Sequence, residues 1–462
     1  MFIIMTQFLA IDWAVFGVRA GQLLLSLSIL VILHEFGHYI TARWFKCRVE
    51  KFYLFFDPWF SIFKKKVGET EYGIGWLPLG GYVKIAGMID ESMDKSALEA
   101  PAQPWEFRSK PAWQRLIIMI GGVTVNILLA FVIYAGILMY WGEKKVPNNS
   151  VKYGISIQDS LMYGFGLQNG DKILAANGEK IEDFNETIGR MLVSRQLTVE
   201  RQGKEVILQL PEDLIGQLVE KKKGRSPLLS PRIPAVVSQL DSTMAAYKAG
   251  LQKGDVIIAV NNEPTPFFDV LKPVVDKNAG NLVAVQYLRQ TDTLNANIQI
   301  SKEGRLGFAT LSSREEYVEY NILEEKITKY GFFAAFPAGV KLAIKKLGEY
   351  YEQFKLIFQP KTGAYKGVGG FKSMGSIFAP VWDWESFWNI TAFFSIVLAF
   401  MNMLPIPALD GGHVVFTLIE MITGRKPNQK FLEVAQVIGM VLLLGLMLYA
   451  NGNDFFGWGK DK

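Results

Sequence analysis

Apolar and polar residues follow one another along this 462-residue chain in long blocks. Four blocks are apolar enough to predict membrane-spanning helices. The first, residues 13–44, carries no charge between Arg19 and His34 and exceeds the roughly 20 residues that a hydrocarbon core requires. The second, residues 113–141, is uncharged from Leu116 through Trp141 and is bracketed by Trp113 and Trp141, as interfacial anchors are. The third, residues 387–404, is apolar apart from Asn389 and Asn402 and breaks at Pro405-Ile406-Pro407, because proline removes a backbone donor and ends helices. The fourth, residues 432–449, has one acid, Glu433, near its start. Between the first two blocks, residues 71–84 read as short extended pieces joined by Gly/Pro turns. They form either a hairpin near the first block's polar face or a surface loop. Residues 327–358 space apolar side chains helically between lysines and glutamates, which predicts an amphipathic helix on the membrane surface or on soluble domains.

The soluble block, residues 142–326, contains an internal repeat. Gly166-Leu167-Gln168-Asn169-Gly170-Asp171-Lys172-Ile173-Leu174-Ala175-Ala176-Asn177-Gly178-Glu179 returns 84 residues later as Gly250-Leu251-Gln252-Lys253-Gly254-Asp255-Val256-Ile257-Ile258-Ala259-Val260-Asn261-Asn262-Glu263, with 9 of 14 positions identical. Each copy places a helix-end Gly-Leu before a Gly-Asp turn, a short strand and an Asn-containing turn. This resembles the signature of PDZ domains, which bind extended peptide at a sheet edge; a rigid spacer is the other reading. The charged run Glu220-Lys221-Lys222-Lys223-Gly224-Arg225 separates the copies.

Composition narrows the class. Half the residues are hydrophobic and 20% charged, which fits a multi-pass membrane protein with a soluble insert. A net charge of +5 is too small at this length to indicate nucleic acid. The lone Cys47 rules out an intrachain disulfide and a cysteine metal cluster. The start of the chain lacks a basic signal-peptide region and a small-residue cleavage motif, so the first apolar segment is expected to be retained.

Candidate chemistry lies inside the first apolar block. His34 and His38 are four apart in His34-Glu35-Phe36-Gly37-His38, so on a helix both face one way and can hold a metal ion, with Glu35 placed to act as general base. Ionisable groups at membrane depth are costly and mark function. Catalytic zinc takes three protein ligands and leaves one position open. With the histidines confined to His34, His38 and His413, the third ligand is expected to be a carboxylate. Asp410 meets this need at a helix break beside two glycines; helix capping is its ordinary alternative. His413 is a ligand, a neighbour of the ligands, or a packing group. Two far-apart membrane segments would then cage one zinc ion and cut peptide bonds within or at the edge of the bilayer. The competing class is a non-enzymatic membrane scaffold that presents peptides through its PDZ-like pair.

The paired motifs, His34-Glu35-Phe36-Gly37-His38 and Asn402-Met403-Leu404-Pro405-Ile406-Pro407-Ala408-Leu409-Asp410-Gly411-Gly412-His413, resemble those of the site-2 intramembrane zinc metalloproteases of the bacterial RseP type. So do the Pro78–Val83 and Phe107–Pro111 stretches and the tandem insert, and the similarity covers nearly the whole chain. The resemblance implies a four-helix transmembrane metalloprotease core, a membrane-associated β-hairpin and two inserted PDZ-like, β-rich α+β domains. It implies one zinc per chain on His34, His38 and Asp410, with Glu35 activating water. Asn402 would bind the unwound substrate backbone, and the β-structure around Gly80 and Gly81 would help present it. The PDZ pair would filter substrates by size. Substrates would be single-span membrane proteins, of the anti-sigma-factor or remnant-signal-peptide kind, already cut once by a site-1-type protease. Phe55-Phe56-Asp57-Pro58 departs from the glycine-rich loop of many relatives and leaves that loop's shape open.

The expected division is 1–44 (first span), 45–112 (cytoplasm-side β region), 113–141 (second span), 142–222 and 223–310 (PDZ-like domains), 311–386 (amphipathic helix and connection), 387–412 (third span and break), 413–430 (cytoplasmic loop), 431–450 (fourth span) and 451–462 (tail). Basic residues Lys64-Lys65-Lys66 and Arg425-Lys426 place their loops in the cytoplasm. The insert and both termini would then lie on the periplasmic side of a bacterial inner membrane.

Overall fold

The computed structural model describes residues 12–78, 80–88, 101–221, 227–426 and 428–458. The expected retained start, most of the charged linker, Leu79 and the last four residues of the tail lie outside the described residues. The chain divides into two compact units: one of residues 1–142, 329–355 and 365–462, the other of residues 143–328 and 356–364.

Among the described residues, four helices of the first unit are long and apolar enough to cross a membrane. Helix α1 (Trp13–Trp44) starts where the Asp12 carboxylate accepts from the amides of Ala14 and Val15, each at 3.1 Å. That capping satisfies donors that a helix start leaves unpaired. It stops where Lys46 turns left-handed (φ 57°). The next span, α2 (Ala112–Tyr140), crosses it at glycines. A Cβ at Gly37 would run into the backbone of Gly121 and Gly122, and one at Gly121 into the Gly37 carbonyl. Backbone-to-backbone approach of this kind is what small residues permit between membrane helices.

Between α1 and α2 lies a four-stranded sheet rather than a simple hairpin. Strands β1 (Val49–Leu54), β2 (Phe56–Val67), β3 (Thr70–Leu77) and β4 (Tyr82–Ile85) run in the order β2-β3-β1-β4. The β1–β3 pair is parallel and the others antiparallel. Residues 71–84 are extended as expected but form no hairpin among themselves: they supply β3 and β4, which β1 separates, while β3 makes its hairpin with β2. The pairings of β1 are too distant in sequence for local pattern to show. Phe55-Phe56-Asp57-Pro58 forms the bulged start of β2: Phe55 is left-handed (φ 68°), and Asp57 accepts from Tyr82 and Ser61 hydroxyls, each at 2.9 Å.

Toward the C-terminus, α3 (Phe332–Ile357) realises the expected amphipathic helix; Tyr350 stacks edge-on against Phe393 and Phe400 of α5. Helix α4 (Phe371–Ile377) leads to α5 (Trp384–Asn402), and the Pro405–Pro407 break separates it from α6 (Asp410–Thr423). Residues 413–423, expected in a loop, are thus helical. Their apolar run is too short to read as a span, and the helix ends at Gly424 (φ 69°). Finally α7 (Gln429–Phe456) anchors its C-terminal end to the first turn of α4 and the segment before it: Asp454 accepts from the Gly370 and Ser373 amides (2.9 and 3.0 Å), and Asn453 donates to the Lys366 and Val368 carbonyls (both 2.8 Å).

The second unit shows the repeat as two similar sheets. In one, Lys172–Ala176 pairs with Glu179–Lys180 and Gln196–Arg201, which pairs with Lys204–Gln209. In the other, Val256–Val260 pairs with Glu263–Pro264 and Leu282–Arg289, which pairs with Asp292–Gln299. The repeated aspartates do the same work twice: buried Asp171 holds Arg201, and buried Asp255 holds Arg289, each arginine also donating to the repeat's first glycine carbonyl. The expected boundary at 222/223 shifts. Leu229–Pro231 pairs with Ile155–Ile157, and Leu229 is buried in the first sheet's core. Glu143–Lys145 pairs antiparallel with Lys326–Thr328, so the insert's first and last strands form one ribbon.

A small helix, Arg314–Glu319, is fixed to the second sheet's neighbourhood by Glu316, which accepts from the Ser238 hydroxyl and from the Ser312 and Ser313 amides (2.7 and 3.0 Å). The Ser238 hydroxyl, first, and these amides pull the Glu316 carboxyl from its usual 4.5 down to about 2. A carboxyl with a depressed folded-state pKa stabilises the fold above its unfolded value and loses that contribution as pH falls through the folded value. Glu316→Gln is therefore expected to lower hydrogen-exchange protection of residues 313–319 at neutral pH. The difference from the unsubstituted protein should close as pH drops from about 4.5 toward 2; a constant difference would refute this reading.

Candidate metal centre

The first unit brings His34, His38 and Asp410 together from α1 and from the first turn of α6. Among the described residues, this is the one group of three or more His, Cys, Asp or Glu side chains placed to share an ion. His34 Nε2 lies 3.3 Å from His38 Nε2, and Asp410 Oδ2 lies 3.2 and 3.3 Å from these two nitrogens. Asp410 Oδ2 is buried and has no hydrogen-bond partner. Tetrahedral zinc with bonds of about 2.0–2.1 Å sets its ligand atoms roughly 3.3–3.4 Å apart. Three donor atoms at that spacing, one of them an otherwise unsatisfied carboxylate oxygen, fit zinc in type and separation.

Local folding explains each position. The i, i+4 spacing stacks the imidazoles on one face of α1. On the other side, the chain turns tightly after Asn402 through left-handed Ala408 (φ 82°). Gly411 and Gly412 lie so close to the carbonyls of Leu404 and Ile406 that a Cβ at either would clash. The turn thus delivers Asp410 to a helix N-terminus, which favours a carboxylate, and its free Oδ2 points to the imidazoles rather than capping the helix.

Helix α2 forms the floor. His38 Nδ1 lies 2.9 Å from the Ile118 carbonyl, and His34 Nδ1 lies 3.1 Å from the side-chain amide of Asn126. A Cβ at Gly122 would overlap both rings. In sequence, Gly122 and Asn126 read as residues that permit close helix packing; the pointer to more is their spacing, since 118, 122 and 126 share one helix face. Asn402 sits with its amide nitrogen 3.1 Å from His34 Nε2.

Glu35, Gly80, Gly81 and Asn402, together with His34, His38 and Asp410, line one cavity of about 490 Å³. The β4 side of it passes directly over α1: a Cβ at Gly81 would lie 2.7 Å from Val31 Cγ1 and 3.4 Å from Glu35 Cγ. His413 also lines this cavity but stands outside the three-residue group.

A carboxylate and two imidazoles gathered around an ion-sized gap, with a second carboxylate on the same cavity and apolar helices around them, define a metal-dependent hydrolase of the membrane. The family model of Peptidase family M50 matches residues 22–446, and the chain belongs to that family. It is a metalloprotease, and its cofactor is zinc. Curated relatives align over almost their full length. The regulator of sigma-E protease RseP of Escherichia coli is 28% identical over 94% of this chain and 98% of its own. The regulator of sigma E protease of Haemophilus influenzae is 26% identical over 94% and 98%. A Rickettsia conorii protein that bears a zinc metalloprotease name is 27% identical over 93% and 96%.

Proposed function

We propose that this protein is an intramembrane endopeptidase of the site-2 type, cutting transmembrane segments of single-span proteins after a first cut by another protease. The observation that carries this reading is the triangle of His34, His38 and Asp410 donor atoms on helices of membrane-spanning length. These three residues hold one zinc ion per chain. When bound, zinc supplies a Lewis acid and can lower the pKa of water to about 7. Glu35 takes the proton of the attacking water and later delivers it to the leaving amine. The substrate must be extended where it is cut, because helical carbonyls are already hydrogen-bonded and shielded. Asn402 holds its backbone, and the β4 approach at Gly80 and Gly81 presents it along the cavity. The exposed Trp59, Phe60, Ile62 and Phe63 of β2, followed by Lys64-Lys65-Lys66, suit a sheet edge seated in lipid headgroups.

The two repeated domains are PDZ-like, and they screen out substrates with bulky outer domains. Names of relatives that speak of sigma-E regulation support an anti-sigma factor or a remnant signal peptide as substrate. We place the insert and both termini on the periplasmic side of a bacterial inner membrane, following the basic loops. The test is metal analysis with cleavage in detergent of a candidate single-span peptide. One zinc per chain is expected, with cleavage lost on chelation and restored by zinc; cleavage that persists in the metal-free protein would overturn the proposal.

A further inference from the structure

Helix α2 touches both imidazoles, and it does so by two different devices. His38 Nδ1 meets a backbone carbonyl, that of Ile118, at 2.9 Å. A carbonyl can only accept, so Nδ1 carries the proton and Nε2 is left with its lone pair. His34 has no such carbonyl. Its Nδ1 faces the side chain of Asn126, which is fully buried and whose backbone carbonyl is held by the Ser395 hydroxyl of α5 at 2.7 Å. The amide nitrogen of Asn126 stands 3.1 Å from Nδ1, and its Oδ1 has no hydrogen-bond partner.

That orientation suits an imidazole protonated at Nε2, yet Nε2 faces not only Asp410 and His38 but also the Asn402 amide nitrogen at 3.1 Å, a donor that calls for a lone pair there. Ligation through Nε2 puts the proton on Nδ1, and two N–H donors would then oppose each other at 3.1 Å between buried side chains. Half a turn of the amide exchanges its oxygen and nitrogen, atoms of nearly the same size and position. Oδ1 then accepts from Nδ1–H. A metal-bound histidine almost always has such an acceptor on its other nitrogen.

We infer that Asn126 is a positioning residue for the metal centre, its carboxamide oxygen fixing His34 in the Nδ1–H form that leaves Nε2 free to bind zinc. The inference rests on the proposed ligand set. It makes the stripe 118, 122 and 126 one device: a carbonyl for one ring, a bare glycine where both rings lie, and an amide for the other ring.

The chain has three histidines, so a protein labelled with ¹⁵N-histidine gives three imidazole spin systems, assigned by His→Gln substitution. In the zinc-loaded protein, His34 is expected to be protonated at Nδ1 and unprotonated at Nε2. A proton on His34 Nε2 would overturn the inference, and this measurement needs no substitution at Asn126. Zinc affinity, measured by competition with a chromogenic chelator in detergent, is expected to fall roughly 10- to 100-fold in Asn126→Leu. Asn126→Asp, which keeps an acceptor on His34, is expected to restore it; unchanged affinity in Asn126→Leu would refute the role. His34→Ala separates the two levels of the reading. Undiminished zinc binding in that variant would sink the ligand set itself, whereas loss in His34→Ala with none in Asn126→Leu would sink the positioning role alone.

Discussion

Glu35→Gln is expected to abolish peptide-bond hydrolysis while zinc stays bound. Glutamine matches glutamate in size and keeps its place in the cavity beside His34, His38 and Asp410, but it cannot accept a proton. Loss of a positioned general base costs about 10²- to 10⁴-fold in rate. Because Glu35 is outside the group of three donor residues, the zinc content of the variant should match that of the unsubstituted protein. Cleavage of a single-span reporter, measured beside metal content, checks both halves. Full turnover in the variant would remove Glu35 from the chemistry; loss of zinc together with turnover would assign it to the ligands instead.

A methyl group is expected to do nearly as much damage at Gly122. Most alanine-for-glycine changes within helices are neutral or helpful, since they reduce the freedom of the unfolded chain by about 0.4–1 kcal/mol. At Gly122 the added carbon would overlap His38 Nε2 and His34 Cε1, and α2 cannot back away, because the neighbouring Gly121 already meets the Gly37 backbone of α1. Overpacking of this kind costs about 1–3 kcal/mol, and the movement that relieves it must carry an imidazole off its line to Asp410. Zinc affinity is expected to fall by roughly 100-fold or more, at the upper end of what disturbing the surroundings of metal ligands produces. Gly136→Ala on the same helix meets nothing within 4 Å and is the control, expected to bind zinc normally. Equal zinc affinity in the two variants would show that the floor of the site yields more easily than its packing implies.

Much of this site was legible in the residues because its parts are local. His34 and His38 need only helical spacing to share a face, and α1 runs over the very span, Trp13–Trp44, that the apolar pattern marks. Asp410 stood out because the prolines and glycines around it forbid a continuous helix. What stayed hidden depends on contacts between distant segments. Asn126 and Gly122 look like packing residues until α1 is laid across α2. Strand β1 pairs in parallel with β3, a register that no hairpin rule gives. Helix α6 is too short for a span and too apolar to look like a surface helix. Leu229 looks like part of the linker region and instead completes the core of the preceding domain.

The ribbon of Glu143–Lys145 with Lys326–Thr328 means that residues 146–325 leave and rejoin the chain at neighbouring points. A segment attached in this way behaves like a cassette. It can lengthen, shorten or be exchanged over generations while α2 keeps its two contacts with the imidazoles, so the insert can change separately from the metal centre.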